Sequence, residues 1–165
     1  MTTIHSFAPI VSDNAHTLIL GSMPGIASLT AQAYYAHPRN TFWRIMGELF
    51  EAGPNLDYED RVAALRRHGI AVWDVMKLCT RTGSLDSAIV ESSIEINEIA
   101  ALLDSHPSIE RIFFNGAKAE ASYRRYAPTT VRTAEVTTTL LPSTSPAHAS
   151  MSFETKLAAW AVVDR

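Results

Sequence analysis

The chain has 165 residues, 47% of them hydrophobic, and a formal net charge of −3, which suits a single domain across residues 1–165 and argues weakly against nucleic acid as the partner. No apolar run approaches the ~20 residues of a membrane-spanning helix, and the first residues lack the layout of a secretion signal, so we expect a cytoplasmic protein without membrane contact. Cys79 is the only cysteine, which excludes an internal disulfide, a cysteine zinc cage and a four-thiolate iron–sulfur cluster, so we expect no metal and no cofactor.

The first part of the chain predicts one strand and two helices. Residues 16–21 form a short apolar, partly β-branched run that ends in glycine, as is typical of a buried strand that leads into a loop. A helix is predicted to begin near Asn40, because apolar residues follow at helical spacing. These residues are Phe42, Ile45, Met46, Leu49 and Phe50. A second helix is predicted between Asp57, a suitable N-cap, and Gly69.

The rest of the chain alternates predicted strands with predicted helices. The strands are expected at residues 70–74, 109–114 and 136–141. Ser92 and Glu95 have the spacing of a capping box, so a helix is expected to begin there and to end before Pro107. Further helices are expected at residues 116–126 and 153–161.

This alternation predicts an α/β fold with three layers, α/β/α, around a central, mainly parallel four-stranded sheet. Ligands of such sheets bind at the carboxyl ends of the strands. The segments that follow the four predicted strands include GSMPG, WDV, FNG and LPSTSPAHA. We therefore expect the functional site where these segments meet.

Three motifs resemble those of the uracil-DNA glycosylase superfamily. The first is GSMPG at residues 21–25, which is similar to the Gly-x-x-Pro-Gly-like loop after the first strand of that family. The second is LPSTSP at residues 141–146, which is similar to its Pro-Ser loop after the fourth strand. The most specific is YAHPRNTFW at residues 35–43, which resembles an element of the mismatch-specific uracil glycosylases and the hypoxanthine-DNA glycosylases. The resemblance covers nearly the whole chain and implies a uracil-DNA glycosylase-like fold.

Two departures from the family pattern resemble its hypoxanthine branch. Most branches place Asp, Asn or Glu in the first loop to activate water, where this chain has Ser22 and Met23. Many members have His or Asn directly before Pro-Ser, where this chain has Leu141. In the hypoxanthine branch the catalytic role moves to the Asn of the His-Pro-x-Asn element, which implies that Asn40 is the catalytic residue here.

The resemblance implies a base-excision repair glycosylase that hydrolyses the N-glycosidic bond of a flipped, deaminated base, with hypoxanthine as the expected base. The expected partner is double- or single-stranded DNA, and we expect a nucleoid-associated monomer. The residues expected to bind the base are Ser22, Met23, Pro24, Gly25, Tyr35, His37, Asp74 and Asn115. The residues expected to bind DNA are Arg39, Ser143, Thr144, Ser145 and His148. Three basic residues in or near these loops could form a positive rim, namely Arg39, Arg81 and Lys118.

Structural roles are open for several of these residues. Asn40 could be only a helix cap, Asp74 could hold a loop, and His37 could be a structural hydrogen-bonding group. Ser145 lies near the position where relatives place a bulky wedge, yet its side chain is small.

Three other functions are also compatible with the sequence. One is a mismatch-specific uracil glycosylase of the same fold, and another is an inactive nucleic-acid-binding module. The third is a flavodoxin-like binder of small molecules.

Overall fold

The computed structural model describes residues 2–165, which form seven strands and seven α-helices. The strands are β1 (Thr2–His5), β2 (Thr17–Gly21), β3 (Ile70–Asp74), β4 (Met76–Arg81), β5 (Glu95–Ile96), β6 (Arg111–Asn115) and β7 (Thr137–Leu141). The helices are α1 (Ile26–Ala31), α2 (Phe42–Phe50), α3 (Tyr58–Arg67), α4 (Ile99–Ser105), α5 (Ala117–Tyr126), α6 (Val131–Glu135) and α7 (Phe153–Trp160). Short 3₁₀ helices span Asp86–Ala88, Glu91–Ser93 and Ala161–Asp164.

The centre of the fold is a four-stranded parallel sheet in the order β3-β2-β6-β7. Every residue of β2 is buried, because alternate side chains of this strand enter the cores on the two faces of the sheet. Ile19 packs with residues of α2, α3 and α7 on one face, and Leu18 and Leu20 pack with residues of α4 and α5 on the other. The predicted three-layer α/β/α class and its four parallel strands are confirmed.

The register of this sheet brings four chain segments to one edge. Gly21 pairs with Asp74 at the carboxyl ends of β2 and β3, and Asn115 pairs with Leu141 at the ends of β6 and β7. The loops that leave these four positions therefore share one side of the molecule.

A second sheet, which the sequence analysis did not predict, contains β1, β4 and β5 in antiparallel pairing. The chain leaves the parallel sheet at Asp74 and enters β4 almost at once. Buried Met76 and Cys79 of β4 pack with Met23 of the first loop and with Ile89. This second core fixes the segment that follows β4, residues 82–88, beside the loop after β2.

The helix predicted to begin at Ser92 begins later, at Ile99, so the capping-box prediction is wrong. Glu95 instead pairs with Leu78 as part of β5. The hydroxyl of Ser93 accepts a hydrogen bond from the Thr80 N–H at 2.7 Å, which holds this segment against β4. The preference for pairing at the sheet edge outweighs a local helix signal. No helix within residues 2–165 has the length and apolar character to cross a membrane.

Candidate active site

The loops at the carboxyl ends of the parallel strands enclose a cavity of about 400 Å³. That volume lies in the range of roughly 300–1,000 Å³ typical of small-molecule sites. Every predicted site residue except Arg39 lines it, namely Ser22, Met23, Pro24, Gly25, Tyr35, His37, Asn40, Asp74, Asn115, Ser143, Thr144, Ser145 and His148. Arg39 is exposed.

Two polar side chains in the cavity wall lie against Gly21. A Cβ atom built on Gly21 would lie 2.5 Å from Asp74 Oδ1 and 2.8 Å from the Tyr35 hydroxyl. Asp74 is only 3% exposed, and neither its Oδ2 nor the Tyr35 hydroxyl has a hydrogen-bond partner within residues 2–165. Unpaired buried polar atoms are costly, so their position in a cavity wall indicates a place for a polar ligand.

Burial changes the acidity of both groups. The pKa of the Asp74 carboxyl is raised to about 7, first by desolvation and then by the negative charge of Asp86, while Arg81 opposes the shift. The pKa of the Tyr35 hydroxyl is also raised, first by burial and then by the charge of Asp74, while the neighbouring Asn115 side chain opposes the shift. Asp74 is therefore much harder to ionise than an exposed aspartate, and Tyr35 remains a hydrogen-bond donor.

The substitution Gly21→Ala is expected to destabilise the protein and disturb this part of the cavity. The added methyl would overlap Asp74 Oδ1 and the Tyr35 hydroxyl, so both side chains must move. Overpacking of this kind costs about 1–3 kcal/mol, which thermal denaturation would measure. An unchanged melting temperature would show that Asp74 and Tyr35 have room to move.

Asn40 lies between the His37 turn and α2. Its N–H donates to the His37 carbonyl at 2.9 Å, and its side-chain Oδ1 accepts from the Phe42 N–H at 2.9 Å. Because a backbone N–H can only donate, the amide oxygen must face Phe42. Asn40 therefore holds the first N–H of α2 from the position before the N-cap, Thr41. Its amide Nδ2 makes no hydrogen bond within residues 2–165, and Asn40 lines the cavity.

Aromatic packing and backbone contacts hold the segment around Asn40. The ring of Tyr35 stacks on Phe42 with centroids 4.0 Å apart, so one face of the ring is covered. Tyr35 has φ +54°, a left-handed conformation that is rare for a bulky residue. The Thr41 N–H donates to the Thr144 carbonyl at 3.1 Å. This contact ties α2 to the last loop, residues 142–152 between β7 and α7.

Asn115 and Thr144 form a buried brace between β6 and the last loop. Asn115 Nδ2 donates to Thr144 Oγ1 at 3.0 Å, and the Thr144 N–H donates to Asn115 Oδ1 at 3.0 Å. Thr144 is 1% exposed and uses both its hydroxyl and its N–H in this brace, so its role in DNA binding stays a prediction. Asn115 keeps one N–H that this brace does not use.

Comparisons with known proteins show the family of this chain. A family model described as the uracil DNA glycosylase superfamily matches residues 8–163. The chain belongs to this superfamily. The resemblance found from the three sequence motifs is confirmed, and a flavodoxin-like binder is excluded.

Two relatives of this chain have names that specify the base as well as the superfamily. A hypoxanthine DNA glycosylase of Methanosarcina acetivorans is 38% identical over 149 residues, which cover 88% of this chain and 89% of that protein. A hypoxanthine DNA glycosylase of Methanosarcina barkeri is 40% identical over 114 residues, 68% of this chain and 71% of that protein. These names bear out the predicted branch of the superfamily.

A solved structure confirms the fold. The solution NMR structure of a Methanosarcina acetivorans protein, a candidate uracil DNA glycosylase, matches this one with a TM-score of 0.82 and 32% sequence identity. The match covers 99% of this chain and 98% of that one.

In this member of the superfamily, the last loop is stabilised by hydrogen bonds within itself. Ser143 Oγ accepts from the Ser145 N–H at 3.1 Å, and Ser145 Oγ accepts from the Ala147 N–H at 3.2 Å. Both hydroxyl hydrogens remain free to donate to another group. Buried Lys156 donates to the His148 carbonyl at 2.7 Å, and the Nδ1 of His148 is buried without a partner in the described chain.

The positive rim expected from three basic residues does not form. Arg81 is 2% exposed, and its guanidinium donates to the carbonyls of Pro24 and Gly83 inside the protein. Lys118 lines the cavity but is paired with Glu91. Arg39 alone of the three is exposed. Arg81 instead joins two loops of the glycosylase fold.

Residues 84–87 form a wall of the cavity that the sequence analysis missed. The Ser22 hydroxyl donates to Asp86 Oδ1 at 2.7 Å, and the Ile26 N–H donates to Ser84 Oγ at 2.9 Å. The polar and glycine-containing stretch at residues 82–87 indicates a loop, but only the β4 pairing brings it to the site.

Proposed function

We propose that this chain is a DNA glycosylase that hydrolyses the N-glycosidic bond of hypoxanthine in DNA. Its superfamily and the name shared by two relatives support the reaction class and the base. The observation that carries the proposal is the cavity at the strand ends, whose wall holds an unpaired carboxyl, Asp74, and an unpaired hydroxyl, Tyr35. Such a cavity suits a flat, polar base that has left the DNA stack.

Asp74 would distinguish hypoxanthine from adenine at N1. Hypoxanthine carries a hydrogen on N1, whereas adenine has a lone pair there. An ionised carboxylate can only accept hydrogen bonds, so it attracts the N1–H of hypoxanthine and repels N1 of adenine. The O6 of hypoxanthine needs a donor, and the unused N–H of Asn115 or the backbone of residues 22–25 can supply it.

Asn40 would act on the sugar side of the bond. Its amide oxygen keeps one lone pair beside the Phe42 hydrogen bond and can orient a water, while the amide dipole stabilises an oxocarbenium-like sugar as the purine leaves. An amide is a poor base, so positioning carries most of this catalysis. The rigid aromatic packing of Tyr35 on Phe42 holds Asn40 in place.

The last loop would hold the DNA backbone on either side of the flipped nucleotide. The hydroxyl hydrogens of Ser143 and Ser145 suit phosphate oxygens, and His148 lines the same cavity. Exposed Arg39 directly precedes Asn40 in the chain and can add a positive charge. Local contacts of this kind can bind DNA although the net charge is −3. We propose that a monomer acts on double- or single-stranded DNA.

Base release from defined oligonucleotides tests this function. We expect the protein to release hypoxanthine in preference to uracil, xanthine and adenine, each placed once in the same duplex and in the same single strand. Alkali cleavage at the abasic site measures the release. Faster release of uracil opposite guanine would favour a mismatch-specific uracil glycosylase, and binding without any release would favour an inactive binding module.

A further inference from the structure

The last loop offers little bulk to fill the gap that a flipped nucleotide leaves in DNA. Of its residues at the cavity, Ser143, Ser145 and Ala147 have small side chains, Thr144 is buried, and Pro146 is half-buried. His148 is half-buried with its Nδ1 turned into the protein. A side chain that holds a duplex open must present apolar surface to the neighbouring bases. None of the large apolar side chains exposed within residues 2–165 belongs to this loop, so it is poorly suited to supply the wedge.

Another part of the cavity wall carries exposed apolar side chains. Leu85 is 56% exposed and Ile26 is 54% exposed, and both line the cavity. The other large apolar side chains exposed within residues 2–165, Val131 and Leu140, lie elsewhere. Leu85 lies in the middle of an otherwise polar stretch, residues 82–87, and its side chain is exposed. Packing in the protein core therefore does not account for a leucine at this position.

The loop that carries Leu85 is braced on both sides of that residue. Before it, Arg81 Nε donates to the Gly83 carbonyl at 2.8 Å, and Ser84 Oγ accepts the Ile26 N–H at 2.9 Å. After it, Asp86 Oδ1 accepts the Ser22 hydroxyl at 2.7 Å. Ser84 and Asp86 therefore fix the backbone while the Leu85 side chain stays free in solvent.

We propose that Leu85 is the wedge that enters the DNA stack when the nucleotide flips. This inference rests on the proposed glycosylase function and moves the wedge from the Pro-Ser loop to the loop after β4. The hydrogen bonds that hold this loop suit such a role, because a flexible loop would move aside instead of keeping neighbouring bases apart. Ile26, the first residue of α1, is linked to this loop through Ser84 and adds exposed apolar surface to the cavity wall.

Leu85→Ala is expected to slow hypoxanthine release from duplex DNA by about tenfold, equivalent to ~1.4 kcal/mol of transition-state stabilisation. Release from the same single strand should change little, since no stacked partner has to be held open. Leu85→Met should retain most of the duplex activity because it keeps the apolar bulk. Leu140→Ala removes an equally large exposed side chain away from the cavity and serves as the control.

Single-turnover rates on both substrates, together with fluorescence of 2-aminopurine placed next to the hypoxanthine, separate the outcomes. Loss of both duplex rate and 2-aminopurine unstacking in Leu85→Ala supports the wedge. Unchanged unstacking, or an equal loss on both strands, contradicts it while the glycosylase function stands. If the unsubstituted protein releases no base from either substrate, the proposed function fails and the wedge with it.

Discussion

Asn40→Ser is expected to lose most of the hypoxanthine release while the protein stays folded. A serine hydroxyl at this position can still accept a hydrogen bond from the Phe42 N–H, so the start of α2 stays held. The amide group at the cavity, however, is removed. We expect the single-turnover rate to fall by roughly a hundredfold or more, the usual effect of deleting a group that stabilises transition-state charge. The melting temperature should stay close to that of the unsubstituted protein.

Two further substitutions separate catalysis from capping. Asn40→Ala removes the amide and the hydrogen bond to the Phe42 N–H together, and should add about 1 kcal/mol of lost stability to the lost activity. Ser152→Ala removes the N-cap of α7, whose hydroxyl accepts from the Thr155 N–H, and should lower stability without slowing base release. Near-normal activity of Asn40→Ser would show that Asn40 only holds the start of α2 and takes no part in catalysis.

The central sheet was predictable because its strands are buried on both faces. The strand predicted at residues 70–74 matches β3, and those predicted at 16–21, 109–114 and 136–141 match β2, β6 and β7 within about two residues. Buried parallel strands give continuous apolar runs, which are distinct from the helical spacing around them. Once the four strand ends share one edge, the loops that follow them must meet there. The placement of Asp74 and Asn115 at the cavity follows from this topology.

The second sheet could not be predicted because its strands depend on distant partners. β4 begins two residues after the end of β3, so the sequence offers no boundary between them. β5 has two residues and forms only through pairing with β4, where the Ser92 and Glu95 pattern suggested a helix. Without this sheet, the position of Leu85 at the cavity and the burial of Arg81 could not be foreseen. These are tertiary effects that override local preference.

Asp74 and Asp86 place two carboxyl groups at the wall of one cavity in a protein that must approach an anionic polymer. Asp86 is anchored by the Ser22 hydroxyl, and Asp74 is almost completely buried. Asp74 Oδ2 has no hydrogen-bond partner within residues 2–165, so burying this carboxyl lowers the free energy of unfolding. Groups that cost stability at a functional site are commonly retained for the function.

The substitution Asp74→Asn is therefore expected to stabilise the protein above neutral pH. The raised pKa of about 7 means that the folded state binds more protons than the unfolded state between about pH 4 and pH 7, so stability falls as the pH rises through that window. An asparagine does not ionise, so the gain should be near zero at pH 4 and reach up to about 4 kcal/mol at pH 8. Urea denaturation of both proteins across this range measures it, and a gain independent of pH would contradict the raised pKa.

The same substitution should weaken selectivity, because an amide can turn its N–H toward N1 of adenine where a carboxylate cannot. In the unsubstituted protein, the ratio of hypoxanthine release to adenine release should rise as Asp74 ionises through about pH 7. In Asp74→Asn this ratio should be independent of pH and lower at pH 8 by at least about tenfold. A ratio that instead falls with rising pH would identify the protonated carboxyl as the group that reads the base. An unchanged ratio and pH profile in Asp74→Asn would show that Asp74 does not touch the base at all.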